Sequence, residues 1–347
     1  MPKVSVIMPN YNYGRFLGEA LQSVLGQTFA DFEIIVVDDG STDNTREVVA
    51  SFNDSRIRYI YQENRGVSAA YNRGILASSG EYIAFLDADD VWLPEKLELQ
   101  VNVLHSRPDV ALVCSDGFVL DDQTGDIIGR FWHGAKQFHG WFSPQKASQN
   151  ALRYLLFRGV FIFETGTMLR AEVFGEVGGF DESLRTHLDW EMFVRVTQRF
   201  AIETIDIPLA KKRHHGARLS CDPQQMYRGE VIALNKVIRS GSLQPDEVKL
   251  AKRRLARLHF LYGSRSVADG KVKLGRERLL AAIRINPWYI KAYIHLAKSL
   301  LGSKLIIAGK SCRRGLRSWL LRLQGSGDAL SDTVGSVEQK ASNRYEC

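Results

Sequence analysis

Apolar and polar positions alternate in two rhythms over the first 115 residues of the chain. Between residues 16 and 25 the apolar side chains recur every three or four positions, which predicts a helix, whereas residues 33–37 form a continuous apolar run typical of a buried parallel strand. The same patterns predict strands at 3–8, 57–61, 81–86 and 110–114 and helices at 42–52, 67–79 and 94–105. This alternation predicts an α/β fold with a mostly parallel, Rossmann-like sheet and helices on both faces.

The pattern changes after residue 115. Residues 121–126 predict a tight turn between two strands, and residues 131–150, rich in aromatic side chains, Gly and His, predict a long loop over a site. A strand at 160–169, a helix at about 188–200 and a strand near 202–205 follow. From about residue 222 the pattern is helical, and after residue 324 few apolar residues remain, which predicts a disordered tail. We therefore expect a first domain at 1–222, with halves at 1–115 and 116–222, an all-helical region at 223–323 and a tail at 324–347.

Charge is distributed unevenly along the 347 residues, whose formal net charge is +7. Residues 1–239 carry a net charge of −6 and residues 240–347 carry +13. The acidic first part argues against a basic groove through the whole protein, so we expect no nucleic-acid partner. The basic charge is densest at 303–323, where an amphipathic helix bearing Trp319 would lie either on an anionic membrane surface or against the protein itself.

Membrane-spanning and secretory segments are not evident in the sequence. No apolar run reaches the roughly 18–20 residues that span a bilayer. The first nine residues, MPKVSVIMP, lack the apolar core of a signal peptide. We expect a cytoplasmic protein, held at the inner face of the plasma membrane if 303–323 binds lipid.

Polar residues follow the predicted parallel strands at their carboxyl ends, where open α/β sheets bind ligands. These stretches are Pro9-Asn10-Tyr11-Asn12, Asp38-Asp39-Gly40-Ser41 and Asp87-Ala88-Asp89-Asp90. Neighbouring carboxylates repel one another, and a hard cation with oxygen ligands relieves the repulsion. The Asp-x-Asp after a buried strand therefore predicts a Mg²⁺ or Mn²⁺ site that also carries substrate phosphates. The alternative for Asp90 is a cap of the helix that begins near Pro94.

Other ligand-binding α/β proteins fit the sequence less well. The first strand is followed by NYNYGR, so the G-x-G-x-x-G fingerprint of dinucleotide-binding folds is absent, as is a GxxxxGK[ST] loop. A receiver-like signalling domain also places acidic residues at strand ends. It would not explain Tyr11 or the acidic residues after 160.

Four ordered motifs over about residues 3–100 resemble the nucleotide-sugar domain of family 2 glycosyltransferases, which have the GT-A fold. They are VSVIMPNYN, EIIVVDDGSTDNT, NRGVSAAYNRGI and GEYIAFLDADD, and GTMLRAEVFGEVGGFDESL and HLDWEMFVRV extend the likeness to about residue 199. The resemblance implies a metal-dependent, inverting enzyme that moves a sugar from a nucleotide-diphosphate sugar, with UDP as the expected carrier, to a glycan or lipid-linked glycan in cell-surface polysaccharide biosynthesis. A non-catalytic nucleotide-sugar or glycan-binding scaffold of the same fold is the alternative.

The resemblance also implies a donor site. Tyr11 would stack on the nucleobase, and Asp39 would accept the ring N–H of uracil or thymine. Asp87 would face the ribose or the metal, Asp89 would ligate Mn²⁺ or Mg²⁺, and His215 would lie beside the diphosphate and the metal. The remaining nucleotide-sugar-binding residues would be Pro9, Asn12, Asn64, Asn72 and Ala88.

Asp189 holds the position of the family's catalytic base, which takes the proton from the acceptor hydroxyl. A helix N-terminal acid is its structural alternative. Trp190, Glu191 and Glu164 would form the acceptor site. Processive members carry Gln-x-x-Arg-Trp, whereas this chain has QMYRG at 225–229, which indicates the non-processive type.

Overall fold

The chain divides into two compact units, Met1–Glu247 and Val248–Cys347. The computed structural model describes residues 1–132, 148–159, 161–216 and 218–300. Most of the loop predicted at 131–150 therefore lies outside the described residues. The amphipathic segment at 303–323 and the tail at 324–347 lie wholly outside them.

In the first unit, helices flank a sheet with nine strands among the described residues. The strands are β1 (Val4–Asn10), β2 (Phe32–Asp38), β3 (Ile57–Tyr61), β4 (Tyr82–Phe85), β5 (Val91–Trp92), β6 (Val110–Asp121), β7 (Ile127–Arg130), β8 (Thr167–Arg170) and β9 (Ala201–His214). The helices are α1 (Gly14–Leu25), α2 (Thr45–Ala50), α3 (Val67–Ala77), α4 (Lys96–Ser106), α5 (Ala151–Arg158), α6 (Val173–Val177), α7 (Leu188–Arg199) and α8 (Pro223–Arg239). The predicted α/β class is confirmed.

The strands follow the order β3-β2-β1-β4-β8-β6-β9-β5, with β7 paired to β6. β1 is parallel to both β2 and β4, and β2 is parallel to β3. The carboxyl ends of β1, β2 and β4 therefore lie side by side at one end of the sheet. This agrees with the prediction made from the acidic residues that follow β2 and β4. The second half of the sheet is mixed, because β8 runs antiparallel to both β4 and β6 while β9 is parallel to β6.

Burial explains why the first strands are so apolar. Every residue of β1 and of β2 is buried, since helices cover both faces of the parallel strands. From α1, Leu17, Leu21 and Val24 pack onto this core, so that the helical spacing of its apolar residues is satisfied by one buried face. Each such apolar side chain stabilises the fold by roughly 1.5–3 kcal/mol relative to exposure.

Three predicted strands differ clearly from the observed ones, and one of them, expected at 110–114, continues to Asp121. The strand expected at 160–169 is confined to Thr167–Arg170, because the chain first makes a 3₁₀ turn at Glu164–Gly166. A Cβ at Gly166 would lie 2.7 Å from the Phe163 ring, so this close turn needs glycine. The strand expected at 202–205 continues to His214. Pro208 and the basic run at 211–213 conceal its alternation in the sequence.

The second unit is helical throughout its described part. It contains most of α9 (Pro245–Ala268) and all of α10 (Val272–Ile285) and α11 (Ile290–Leu300). Phe260, Leu279, Ala282 and Ala292 form one buried apolar cluster in this described part, and Ala251, Leu255 and Ala256 are buried as well. The helical prediction is thus confirmed as far as residue 300. No helix in the described part of the chain is both long enough and apolar enough to cross a membrane.

Candidate active site

Three aspartates form a compact cluster immediately after β4. One carboxylate oxygen from each of Asp87, Asp89 and Asp90 lies within 4.8 Å of the others. The turn is closed by a 3.0 Å hydrogen bond from the Asp90 backbone N–H to the Asp87 carbonyl oxygen. The two acidic residues of the Asp-x-Asp motif thus lie together at the carboxyl end of β4, as the sequence predicted.

Each aspartate is oriented by a different part of the first unit. The Tyr71 hydroxyl donates to Asp87 Oδ1, and His215 Nε2 lies 2.9 Å from Asp89 Oδ2. Asp90 accepts two hydrogen bonds, from the Thr165 hydroxyl at 2.7 Å and from the Arg213 backbone N–H at 2.8 Å. Both Asp90 oxygens are therefore engaged by the protein, whereas Asp87 Oδ2 and Asp89 Oδ1 accept no hydrogen bond among the described residues.

The acidic residues of the site repel one another electrostatically. Burial, together with Asp89 and Asp87, raises the pKa of Asp90 to about 7. Burial also raises the pKa of Asp87, to which Asp89 and Asp189 contribute. The pKa of Glu164 is raised well above its usual value by burial and by the charges of Asp189 and Asp87. Asp89, Asp90, Glu164 and Asp189 are thus each linked electrostatically to Asp87.

Lys212 opposes this negative charge from β9. Burial lowers the pKa of its ammonium group, but Asp90, Glu164, Asp87 and Asp89 raise it by a larger amount, so that the pKa lies above its usual value. No carboxylate lies within 4.0 Å of Lys212 in the described part of the chain, so it acts as a general counter-charge to the cluster. The sequence analysis missed Lys212, because the strand that carries it was predicted to end at residue 205.

Asp189 lies in the first turn of α7, and its charge contributes to the raised pKa of Glu164. The residue before the helix, His187, occupies the N-cap position of α7 and has a left-handed backbone with φ 60°. Asp189 is partly exposed, as are Glu164, Asp87 and Lys212. The helix N-terminus also favours a negative charge at Asp189.

The loops after β1 and β2 are bound to each other. Asn12 has a left-handed backbone with φ 58°, and its Oδ1 accepts the Thr42 backbone N–H at 2.8 Å. Its own N–H donates to the Ser41 hydroxyl at 2.9 Å. Between the two loops Tyr11 stays 49% exposed, with its ring available for stacking, while Pro9 is buried within β1. Asn12 therefore shapes the loop pair through hydrogen bonds.

Asp39 is buried and accepts three hydrogen bonds. They come from Gln62 Nε2 at 2.8 Å and from the backbone N–H groups of Arg65 at 2.9 Å and Gly66 at 2.8 Å. The carboxylate thus holds the loop before α3, and a base N–H would have to use its remaining acceptor capacity. Asn64 belongs to this loop and is exposed, whereas Ala88 is buried between the aspartates.

Three of the predicted ligand residues serve the protein itself. The Asn72 amide bonds the backbone of Phe180 in both directions, at 2.7 and 2.9 Å, and also reaches Glu182. Glu191 forms a two-pronged ion pair with Arg195 at 2.8 and 2.9 Å. Trp190 is fully buried, and its indole N–H donates to the Leu155 carbonyl at 3.0 Å. In the structure Trp190 packs in the core and Glu191 pairs with Arg195, and the acceptor-site role of both residues stays a prediction.

The donor atoms suit a hard divalent cation. Asp87 and Asp89 each keep a carboxylate oxygen that accepts no hydrogen bond among the described residues, and carboxylate oxygens are the ligands that Mg²⁺ and Mn²⁺ prefer. His215 adds an imidazole beside Asp89, and its buried Nδ1 has no hydrogen-bond partner among the described residues. The residues predicted for the metal thus lie together and fit such an ion.

The sequence matches one known family over half of its length. The model of the family described as Glycosyl transferase family 2 matches residues 5–178. An uncharacterized glycosyltransferase from Nostoc sp. (strain PCC 7120) is 48% identical over 134 residues, which are 38% of this chain and 36% of that protein. The UDP-Glc:alpha-D-GlcNAc-diphosphoundecaprenol beta-1,3-glucosyltransferase WfgD of Escherichia coli is 36% identical over 150 residues, which are 43% of this chain and 54% of that protein. The chain spans about a third to a half of the length of these relatives.

Two solved structures have a similar fold. S. aureus TarS 1–349 in complex with UDP-GlcNAc gives a TM-score of 0.60 at 19% identity, covering 82% of this chain and 81% of that chain. The mannosyltransferase PcManGT from Pyrobaculum calidifontis in complex with GDP-Man and Mn²⁺ gives 0.56 at 20% identity, covering 92% and 83%. At these identities the likeness concerns the fold.

Proposed function

Because this chain belongs to glycosyl transferase family 2, we propose that it transfers a sugar from a nucleotide-diphosphate sugar to an acceptor hydroxyl group, with inversion at the sugar carbon. Its GT-A fold supports the donor class, since the similar solved structures hold UDP-GlcNAc and GDP-Man. The observation that carries the proposal is the closeness of the Asp189 charge to Asp87 and Glu164, whose pKa values it helps to raise.

The donor would bind along the edge formed by the first strands. The exposed ring of Tyr11 offers a stacking face for the base, which is worth about 1–3 kcal/mol. Asp87, Asp89 and His215 would hold Mn²⁺ or Mg²⁺, which as a Lewis acid would neutralise the charge that develops on the departing diphosphate. A UDP-sugar is the donor that we propose, and the Asp39 carboxylate would accept a hydrogen bond from the ring N–H of its base.

Transfer would be a single displacement with Asp189 as the base. Its carboxylate takes the proton of the acceptor hydroxyl while that oxygen bonds to the sugar carbon and the nucleoside diphosphate leaves. A base placed in this way typically contributes about 10²–10⁴-fold. Glu164 has a raised pKa, so its protonated form can donate a hydrogen bond to an acceptor oxygen without adding negative charge beside Asp189.

The acceptor that we propose is a glycan or lipid-linked glycan of cell-surface polysaccharide biosynthesis. The Escherichia coli relative supports this choice, because its name specifies a diphosphoundecaprenol-linked acceptor. Such an acceptor would place the enzyme at the cytoplasmic face of the membrane, and the segment at 303–323 remains a candidate contact with anionic lipid. We retain the non-catalytic scaffold as the alternative function.

A panel of nucleotide-sugars with Mn²⁺ tests the proposal. Asp189→Asn should lower transfer at least ~100-fold while calorimetry still detects donor binding, because the base is lost and the donor site is intact. Asp126→Asn, which changes an exposed aspartate of the turn before β7, should leave transfer unchanged. Full activity of Asp189→Asn would contradict the role of Asp189, and donor binding without turnover by the unaltered protein would favour the scaffold.

The metal site is tested in the same panel. Asp89→Ala should lose the Mn²⁺-dependent part of donor binding, because it removes a carboxylate oxygen and the partner of His215. Donor titrations with Mn²⁺ and with a chelator measure this part. Equal affinities of the unaltered protein in both conditions would contradict a metal-dependent donor site.

A further inference from the structure

Helix α11 presents an apolar stripe to solvent in the second unit. The loop before it exposes Trp288 by 89%, and its first residue, Ile290, is 69% exposed. Further along the helix the exposed large apolar residues are Tyr293, Ile294 and Leu300. Scattered exposed apolar residues are ordinary on proteins, but five that are close together in sequence call for an explanation.

The stripe lies on the side of α11 opposite to the core of the unit. At about 100° per residue, the four exposed apolar residues of the helix fall within an arc of about 120°. The buried residues Ala292 and Ser299 lie on the other side, where Ala292 joins Phe260 and Leu279 in the core. The described part of the second unit, residues 248–300, therefore leaves the stripe unburied.

Positive charge surrounds the stripe. Residues 248–300 hold 13 Lys or Arg against two Asp or Glu, a net charge of +11. Lys291 and Lys298 border the stripe on one side, and no acidic residue occurs between 278 and 300. An apolar face with bordering lysines and with Trp and Tyr is the composition of helices that lie in a membrane interface.

Charge also decides between the possible occupants of the stripe. A second copy would bring one basic unit against another. The chain's own segment at 303–323 has six basic residues and no acidic residue, so it would be repelled as well. We propose that the α11 stripe, with Trp288, docks on an anionic lipid surface. This inference rests on the second unit alone and is independent of the transfer reaction.

Vesicle sedimentation with the full chain tests the proposal. Vesicles of phosphatidylcholine with about 30% phosphatidylglycerol should bind the protein, and pure phosphatidylcholine vesicles should bind it much less. Ile290→Ser with Ile294→Ser should lower binding at least ~10-fold, because two large apolar side chains leave the interface. The matched control is Ile127→Ser with Ile128→Ser, which changes two exposed isoleucines of β7 and should leave binding unchanged.

Charge and tail variants separate the alternatives. Lys291→Glu with Lys298→Glu should weaken binding to the anionic vesicles, and raised salt should weaken binding of the unaltered protein. Trp319→Ser should retain most binding. The proposal is overturned if Trp319→Ser abolishes binding while Ile290→Ser with Ile294→Ser does not. It is also overturned if vesicles do not bind, or if light scattering shows a dimer that the isoleucine variant dissociates.

Discussion

At the scale of single residues, Lys212 is the cation that interacts with most of the carboxylates of the candidate site. Four carboxyl groups raise the pKa of its ammonium group, and no ion pair binds it closely among the described residues. A divalent cation bound by Asp87 and Asp89 would neutralise two of the same carboxylates. Lys212 and the cation therefore compensate overlapping negative charge.

Lys212→Met should make the protein more dependent on a cation. Without metal, the free energy of unfolding should fall by about 1–3 kcal/mol, less than for a fully buried pair because Lys212 is partly exposed. Mn²⁺ should then raise the melting temperature of Lys212→Met more than that of the unaltered protein, in thermal unfolding with and without the ion. Lys211→Met, the next residue on β9, is the control, and equal Mn²⁺ shifts in all three proteins would refute the argument.

Asn72 and Asn64 were both predicted to bind the donor, but their surroundings differ. Asn72→Ala should lower the free energy of unfolding by about 1–3 kcal/mol, because it leaves the Phe180 backbone groups without their partner. Asn64→Ala should change it by less than about 0.5 kcal/mol, since Asn64 is exposed. Urea unfolding measures both values, and comparable losses for the two variants would count against a structural role specific to Asn72.

The sequence could predict those site residues whose place at the end of a strand is enough to locate them in the fold. Asp87 and Asp89 follow a buried strand. The carboxyl ends of neighbouring parallel strands lie side by side, whatever side chains the strands carry. Asn72 and Trp190 could not be assigned in this way, because their partners, Phe180 and Leu155, are distant in the chain. A side chain's hydrogen bonds depend on tertiary packing, which a single sequence does not show.

At the scale of elements, a buried carboxylate joins β1, β2 and the loop before β4. Glu33 of β2 accepts hydrogen bonds from Ser5 of β1 and from Ser79, each at 2.7 Å, and pairs with Arg58 of β3 at 3.1 Å. Burial raises the pKa of Glu33, but the hydrogen bonds from Ser79, Ser5 and Arg58 outweigh it and lower the pKa below 4.5. The ionised carboxylate therefore stabilises the parallel core.

Glu33→Gln should be destabilising in a pH-dependent way. Because the folded pKa is below the unfolded one, the stabilisation is fully present above about pH 5 and is lost as the pH falls through the folded pKa. The difference from the unaltered protein should be about 1–2 kcal/mol at pH 7 and should shrink toward pH 3. Urea unfolding across this range, with the exposed Glu63→Gln as control, measures it, and a pH-independent difference would exclude ionisation as the cause.

The prediction of strands succeeded for the uniformly buried β1 and β2 and failed for the partly exposed β9. The fully buried β1 and β2 match their predicted runs to within two residues. β9 was predicted at less than a third of its length, because only a few of its positions are buried and three consecutive basic residues follow Ala210. Long partly exposed strands lack the apolar signal on which such predictions depend.

At the scale of the whole molecule, the two units differ greatly in the size of their cores. The sheet of the first unit encloses more than twenty buried residues in one cluster, whereas the cluster found in residues 248–300 of the second unit has four. A small core loses less favourable burial when it opens. The two parts of the chain therefore differ in the size of their buried clusters as well as in the sign of their net charge.

Hydrogen exchange should therefore separate the units. Amides of α10 and α11 should exchange faster than those of β1, β2 and β4, because local opening of the second unit exposes less apolar surface. Mass spectrometry of peptides from the intact chain measures both rates. The argument would be untenable if α10 and α11 were protected as strongly as β1 and β2.

The length of β9 also bears on where the chain can accept insertions and deletions. Its pairing with β6 shifts between Ser115 and Gly117, and beyond this shift Lys212 pairs with Val119 and Arg213 with Leu120. Successive residues of a strand face opposite sides, so a one-residue deletion after the shift would exchange the sides that Lys212 and Arg213 face. A length change within 209–213 should therefore be far less acceptable than one in the exposed turn at 123–125.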